Sequence, residues 1–125
     1  MGKLTKSIED YLETIYIIEQ KQKIVRIKNI AKFLNISLPS VCEAVNRMKK
    51  MNLVKQEKYG HIVLTVEGRK FAKNIYSKHK TLLHFLQDIL KVDSKIALTE
   101  ACAIEHYLSN KTINKLKKYI EKEVK

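Results

Sequence analysis

Glu100-Ala101-Cys102-Ala103-Ile104-Glu105-His106 gathers a thiol, an imidazole and two carboxylates into seven residues. On a helix, offsets of three and four place Cys102, Glu105 and His106 within an arc of about 100°. Thiolate, carboxylate and imidazole are the side-chain classes that bind first-row transition metals. Matching chemistry stands at two other places. Asp10 and Glu13 lie one turn apart near residues that must be buried, and His79 sits on the rim of an apolar stripe between Ile75 and Leu82. The six side chains converge on a cation only if the first, long and fifth helices meet. The bland alternative is an amphipathic helix with Ala97, Ala101, Ile104 and Leu108 as its core stripe. Cys102 and His106 as nucleophile and base is disfavoured, because both share one helix and no Gly-rich loop or orienting group accompanies them. No enzyme is expected.

The elements that must position these groups follow from periodicity. Apolar residues at 3–4 spacing predict a helix from about Thr5 to Gln20, through Ile8, Tyr11, Leu12, Ile15, Tyr16 and Ile18. A second, short helix runs Arg26–Leu34. Ser37 then offers an N-cap with Pro39 in the first turn, opening a third helix to about Met51 with Val41, Ala44, Val45 and Met48 inward. Two β-rich runs, Leu53–Lys58 and His61–Thr65, flank Tyr59-Gly60, a hairpin signal because Gly supplies positive φ. A long helix is predicted from Val66 to about Leu90, another from Asp93 or Ser94 to Leu108, and a last from Asn110 to about Glu123. Only three Gly and one Pro support this helical reading. The predicted fold is mainly α with a small β-hairpin. A winged helix-turn-helix over 1–66 precedes a helical metal-binding and dimerisation domain over 67–125.

Charge separates the two halves. Residues 1–80 carry 17 Lys+Arg against 7 Asp+Glu, whereas residues 81–125 carry 8 against 6. A basic N-terminal part points to a polyanion as partner. If Ser37–Met51 is the recognition helix, its polar face presents Ser40, Glu43, Asn46, Arg47 and Lys50, with Ser37 and Pro39 at its start. Asn, Arg and Ser can pair with base edges in the major groove. Lys28, Lys32, Lys49, Lys50 and Lys58 read as phosphate contacts, and the wing tip, including Tyr59, as lying along the backbone or minor groove. Cys42 reads as a small, partly buried helix residue. No apolar run approaches the roughly 20 residues that span a bilayer. The acidic turn in MGKLTKSIEDYLE argues against an export signal, and two Cys are too few for a disulfide framework. A cytoplasmic location is expected.

Five stretches together resemble the DtxR/MntR family of metal-dependent transcriptional repressors: SIEDYLETIY, IAKFLNISLPSVCEAVNRM, GHIVLTVEGRKFA, KHKTLLHFL and EACAIEH. The resemblance runs from about Ser7 to Leu108, and the last stretch matches the family's metal-binding helix most specifically. It implies a homodimer that binds double-stranded operator DNA when loaded with Mn(II) or Fe(II), and represses metal-uptake genes. By position, Asp10, Glu13, His79, Cys102, Glu105 and His106 fall on the family's ligand positions. Cys102 matches the iron branch and Asp10 the manganese branch, so the ligand set is a hybrid. Leu83 and Leu98 stand where iron-branch proteins carry ancillary ligands, and the chain ends without that branch's third domain. One or two metals per subunit are expected. In a two-metal arrangement bridged by Glu105, Asp10 would join Cys102 and His106 on one ion, and Glu13 would join His79 on the other. The alternative is a winged-helix regulator that needs no metal.

Overall fold

The computed structural model describes residues 4–124, which belong to two compact units, Met1–Lys73 and Asn74–Lys125. In the first, α1 (Lys6–Lys21), α2 (Ile27–Leu34) and α3 (Leu38–Lys50) are followed by β1 (Val54–Gln56), a 3₁₀ turn (Lys58–Gly60), β2 (Ile62–Leu64) and the start of α4 (Val66–His84). The strands pair antiparallel with Val54 opposite Leu64 and Gln56 opposite Ile62. The hairpin is shorter than its sequence suggests, because the five residues between the strands turn through positive φ at both Tyr59 and Gly60.

Local chemistry sets each boundary. The Thr5 hydroxyl accepts from Ile8 N at the start of α1, and Ser37 Oγ accepts from Ser40 N at the start of α3. Asn35, at φ 55°, ends α2 in the left-handed conformation. The apolar stripes of α1 and α3 then meet, burying Tyr11, Leu12 and Ile15 with Val41, Val45 and Met48, and the hairpin closes the core with Leu53, Val54, Ile62 and Leu64. Full burial of each large side chain stabilises by about 1.5–3 kcal/mol. Arg69 at the start of α4 forms two parallel bonds, 2.8 and 3.1 Å, to the Glu19 carboxylate near the end of α1, the strong bidentate form of this pair.

The same α4 carries into the second unit, then widens into a π-helical segment, Phe85–Ile89, which Lys91 closes at φ 61°. The sequence pattern had extended an unbroken helix to Leu90; the wider turn keeps an apolar rhythm and so leaves no mark in it. Next come α5 (Ser94–Ile104), capped by Asp93, and α6 (Asn110–Val124). Leu82, Ala101 and Ile113 form the core here, with Leu83, Leu86, Leu108 and Leu116 packed around it. The fifth helix ends four residues before the expected Leu108: Glu105 N still bonds Ala101 O, but Tyr107 N bonds Ile104 O in a tighter turn. Ala97 and Ala101 are buried as expected, whereas Ile104 is exposed. Among the described residues no helix is long and apolar enough to cross a membrane.

Candidate metal centre and DNA interface

Within the second unit, α4 supplies His79 and the end of α5 supplies Cys102 and Glu105, and one ligand atom from each lies within 4.8 Å of the others. Cys102 Sγ is 3.8 Å from His79 Nδ1, and Glu105 Oε2 is 3.2 Å from the same nitrogen. The second contact is an ion pair by distance, but its angle is too poor for a directed hydrogen bond. Glu105 Oε1 lies 3.6 Å from His106 Nε2. The two oxygens of one carboxylate thus face two different imidazoles. Helix termination explains the split: His106 lies past the last turn of α5 and leaves the arc that Cys102 and Glu105 share.

This arrangement corrects the pairing of ligands expected from sequence. Cys102 sits with His79, because α4 and α5 face each other there, and not on a separate ion from it.

Electrostatics favour a cation in this group. Glu105 is only 1% exposed, and a carboxylate so deep in a protein is costly unless positive charge stands beside it. His79 supplies that charge as a proton: the Cys102 sulfur first, then the Glu105 carboxylate, push its pKa up to about 10 against the opposing effect of burial. Protons and a metal ion therefore compete for His79. Cys102 is solvent-exposed, which leaves the sulfur reachable. The donor set, one sulfur, one imidazole and a carboxylate with a second imidazole behind it, fits a divalent transition metal. The Tyr76 ring lies nearly parallel to the His79 imidazole, 16° between planes and 6.4 Å between centroids; nothing in the sequence signalled it.

The other two sequence candidates belong to the first unit, on α1. Glu13 is buried, and Asp10 accepts from Lys6 at 3.1 Å across one helical turn. Such a half-exposed surface pair contributes at most about 0.5 kcal/mol and is readily exchanged.

On the opposite side of the same unit's core, α3 turns Ser40, Glu43, Asn46, Arg47 and Lys50 to solvent. Ser37, Pro39, Lys28, Lys58 and Tyr59 are exposed as well. Lys49 bonds Gln56 at 3.2 Å and ties α3 to β1. Cys42, expected to be partly buried, is exposed. Val41, Ala44, Val45 and Met48 already fill the inward arc, and Cys42 is one step of about 100° outside it. Arg26 Nη2 and His61 Nε2 approach to 3.4 Å at the base of the wing, a pair whose separation along the chain hid it from sequence reasoning.

A winged helix-turn-helix joined to a helical unit with a His–Cys–Glu group is the make-up of a metal-responsive DNA-binding protein. Residues 3–62 match the family description "Iron dependent repressor, N-terminal DNA binding domain", and residues 65–123 match "Iron dependent repressor, metal binding and dimerisation domain". The uncharacterized HTH-type transcriptional regulator MJ0568 of Methanocaldococcus jannaschii is 39% identical over 120 residues, which cover 95% of this chain and 96% of the relative. The HTH-type transcriptional regulator MntR of Bacillus subtilis (strain 168) is 34% identical over 112 residues, 90% of this chain and 78% of the relative. The structure of the manganese regulator SloR superposes with a TM-score of 0.82 at 30% identity over 94% of this chain, which spans 55% of that longer protein. The chain belongs to the iron-dependent repressor family, metal-dependent DNA-binding transcriptional repressors and not enzymes. DNA and a second copy of the chain are its partners at that level of description.

Proposed function

We propose that this chain is a cytoplasmic repressor of metal-uptake genes, activated by Mn(II) or Fe(II), that binds a double-stranded operator as a homodimer. The observation that carries the metal response is the buried Glu105, with His79 and Cys102 at one oxygen and His106 at the other. We assign His79, Cys102, Glu105 and His106 as ligands on that geometry and Asp10 and Glu13 on family resemblance. A carboxylate facing two imidazoles suits one or two ions per subunit. Residues 1–66 serve DNA binding, and residues 67–125 serve metal binding and dimerisation. The second copy packs on apolar surface of the second unit, where Leu90, Ile96, Leu98 and Ile104 are exposed and Phe85 and Ile89 are partly so.

Carboxylates favour Mn(II) and Fe(II), while the thiolate and imidazoles favour Fe(II), Co(II) and Zn(II). When bound, a divalent cation supplies a concentrated positive charge that anionic ligands can share. The chain's own residues do the rest. Asp10 and Glu13 project from α1, whose Tyr11, Leu12 and Ile15 are packed in the core with α2 and α3, so restraining α1 restrains the reading helix. Paired recognition helices must match half-sites about 34–36 Å apart, and a differential affinity of a few kcal/mol between two arrangements suffices for a switch.

The test is an anaerobic panel of Mn(II), Fe(II), Co(II), Zn(II) and chelator, read by binding to DNA upstream of the chain's own gene and of neighbouring transporter genes. Mn(II) or Fe(II) should raise affinity by about 100-fold or more over chelator, which corresponds to about 2.7 kcal/mol of coupling. Equal affinity in chelator would show a regulator that needs no metal.

A further inference from the structure

The wing tip breaks a rule of local stability. Tyr59 holds φ 63° and ψ 20°, the left-handed conformation, and Gly60 follows at φ 77°. Two successive left-handed residues at a hairpin tip favour Asn-Gly or Gly-Gly, because a bulky side chain crowds its own backbone there. Gly60 satisfies the rule and Tyr59 does not. Compensation from packing is small: Tyr59 is 85% exposed, and its nearest ring neighbour is His61, 6.5 Å away and tilted by 49°. The loop beneath is firmly held, since Glu57 N donates to His61 O at 2.7 Å and Gly60 N donates to Glu57 O at 3.1 Å. A strained residue in an otherwise braced turn, presenting a large ring to solvent, is the pattern of a side chain kept for an external partner.

We infer that Tyr59 is an anchor that enters the minor groove of DNA beside the major-groove segment read by α3. This rests on the DNA-binding reading above and adds a specific contact to it. The chemistry around the ring selects the partner. Lys55 and Lys58 flank it on the wing, and the Arg26 and His61 side chains meet at its base; Glu57 is the one carboxylate on this stretch of chain. A mostly cationic rim around an aromatic ring suits a nucleic-acid groove, where lysines meet phosphates and the ring packs on sugar and base edges. The wing begins only three residues after α3 ends, so with α3 in the major groove its tip falls at the neighbouring minor groove.

The test compares wild type, Tyr59→Asn and Tyr59→Phe as full chains in Mn(II), using a duplex selected from a random pool by the wild type. Tyr59→Asn relieves the strain and loses the ring, so its Tm should rise by about 2–5 °C while affinity for the duplex falls about tenfold. The dependence of affinity on salt should keep its slope, because no phosphate contact is removed. Tyr59→Phe should match wild type in both. Unchanged affinity of Tyr59→Asn would overturn the anchor and leave the DNA-binding reading standing. So would a tenfold loss accompanied by a slope reduced by about one, the signature of a lost phosphate contact. A lower Tm for Tyr59→Asn would remove the strain argument. Failure of the wild type to select any duplex, with or without Mn(II), would instead bring down the DNA-binding reading itself.

Discussion

Replacing Glu105 and His106 together with Ala should abolish the metal response of DNA binding and weaken metal affinity by at least about 100-fold, beyond what loss of a supporting hydrogen bond costs. Glu105 is the only group in the second unit whose oxygens face both the His79–Cys102 pair and His106, so its removal leaves two separated fragments of a site. The fold should survive. Both residues lie at and just beyond the end of α5, outside the Leu82–Ala101–Ile113 cluster, and removing a buried carboxylate relieves a desolvation cost as well as opening a small void. Helical circular dichroism and low-salt binding to arbitrary DNA are the controls. A double variant that still gains affinity for its operator on addition of Mn(II) or Fe(II) would mean that the response resides elsewhere.

Gly68→Ala carries the second large effect, and its sign is diagnostic. In an ordinary helix the change stabilises by about 1 kcal/mol. Here a Cβ at position 68 would stand 2.0 Å from the Leu53 carbonyl oxygen and 2.9 Å from its carbon. The obstacle is backbone, and it is pinned: Thr65 N donates to Leu53 O at 3.0 Å, and Thr65 Oγ1 donates to Asn52 O at 2.8 Å while accepting from Gly68 N at 3.0 Å. Relief requires α4 to move off the hairpin and break this lattice. The expected loss is about 3 kcal/mol or more, at or above the upper end for overpacking, read as a lower urea midpoint. A variant as stable as wild type would show that α4 does not approach Leu53 so closely.

The sequence was most informative where periodicity governs. The inward sets of α1 and α3, the caps at Thr5 and Ser37, and the hairpin around Tyr59-Gly60 all follow from side-chain spacing and turn chemistry, and the structure has them. What stayed hidden depends on geometry that periodicity does not encode. The end of α5 at Ile104 shifts His106 out of the arc shared by Cys102 and Glu105, since a one-residue change of helix length rotates a side chain by about 100°. The π turn at Phe85–Ile89, the close passage of Gly68 over Leu53 and the meeting of Arg26 with His61 are likewise consequences of packing. Resemblance named the ligand types correctly enough to find the His79–Cys102–Glu105 group, but not which of them face one another.

The central claim is that a metal ion takes the place of the His79 proton between Cys102 and Glu105. X-ray absorption at the metal edge of the Zn(II)-loaded protein tests it most directly. The account predicts one sulfur scatterer at about 2.3 Å among nitrogen and oxygen neighbours, retained in Cys42→Ser and lost in Cys102→Ser. A first shell of nitrogen and oxygen alone in the wild-type protein would contradict it.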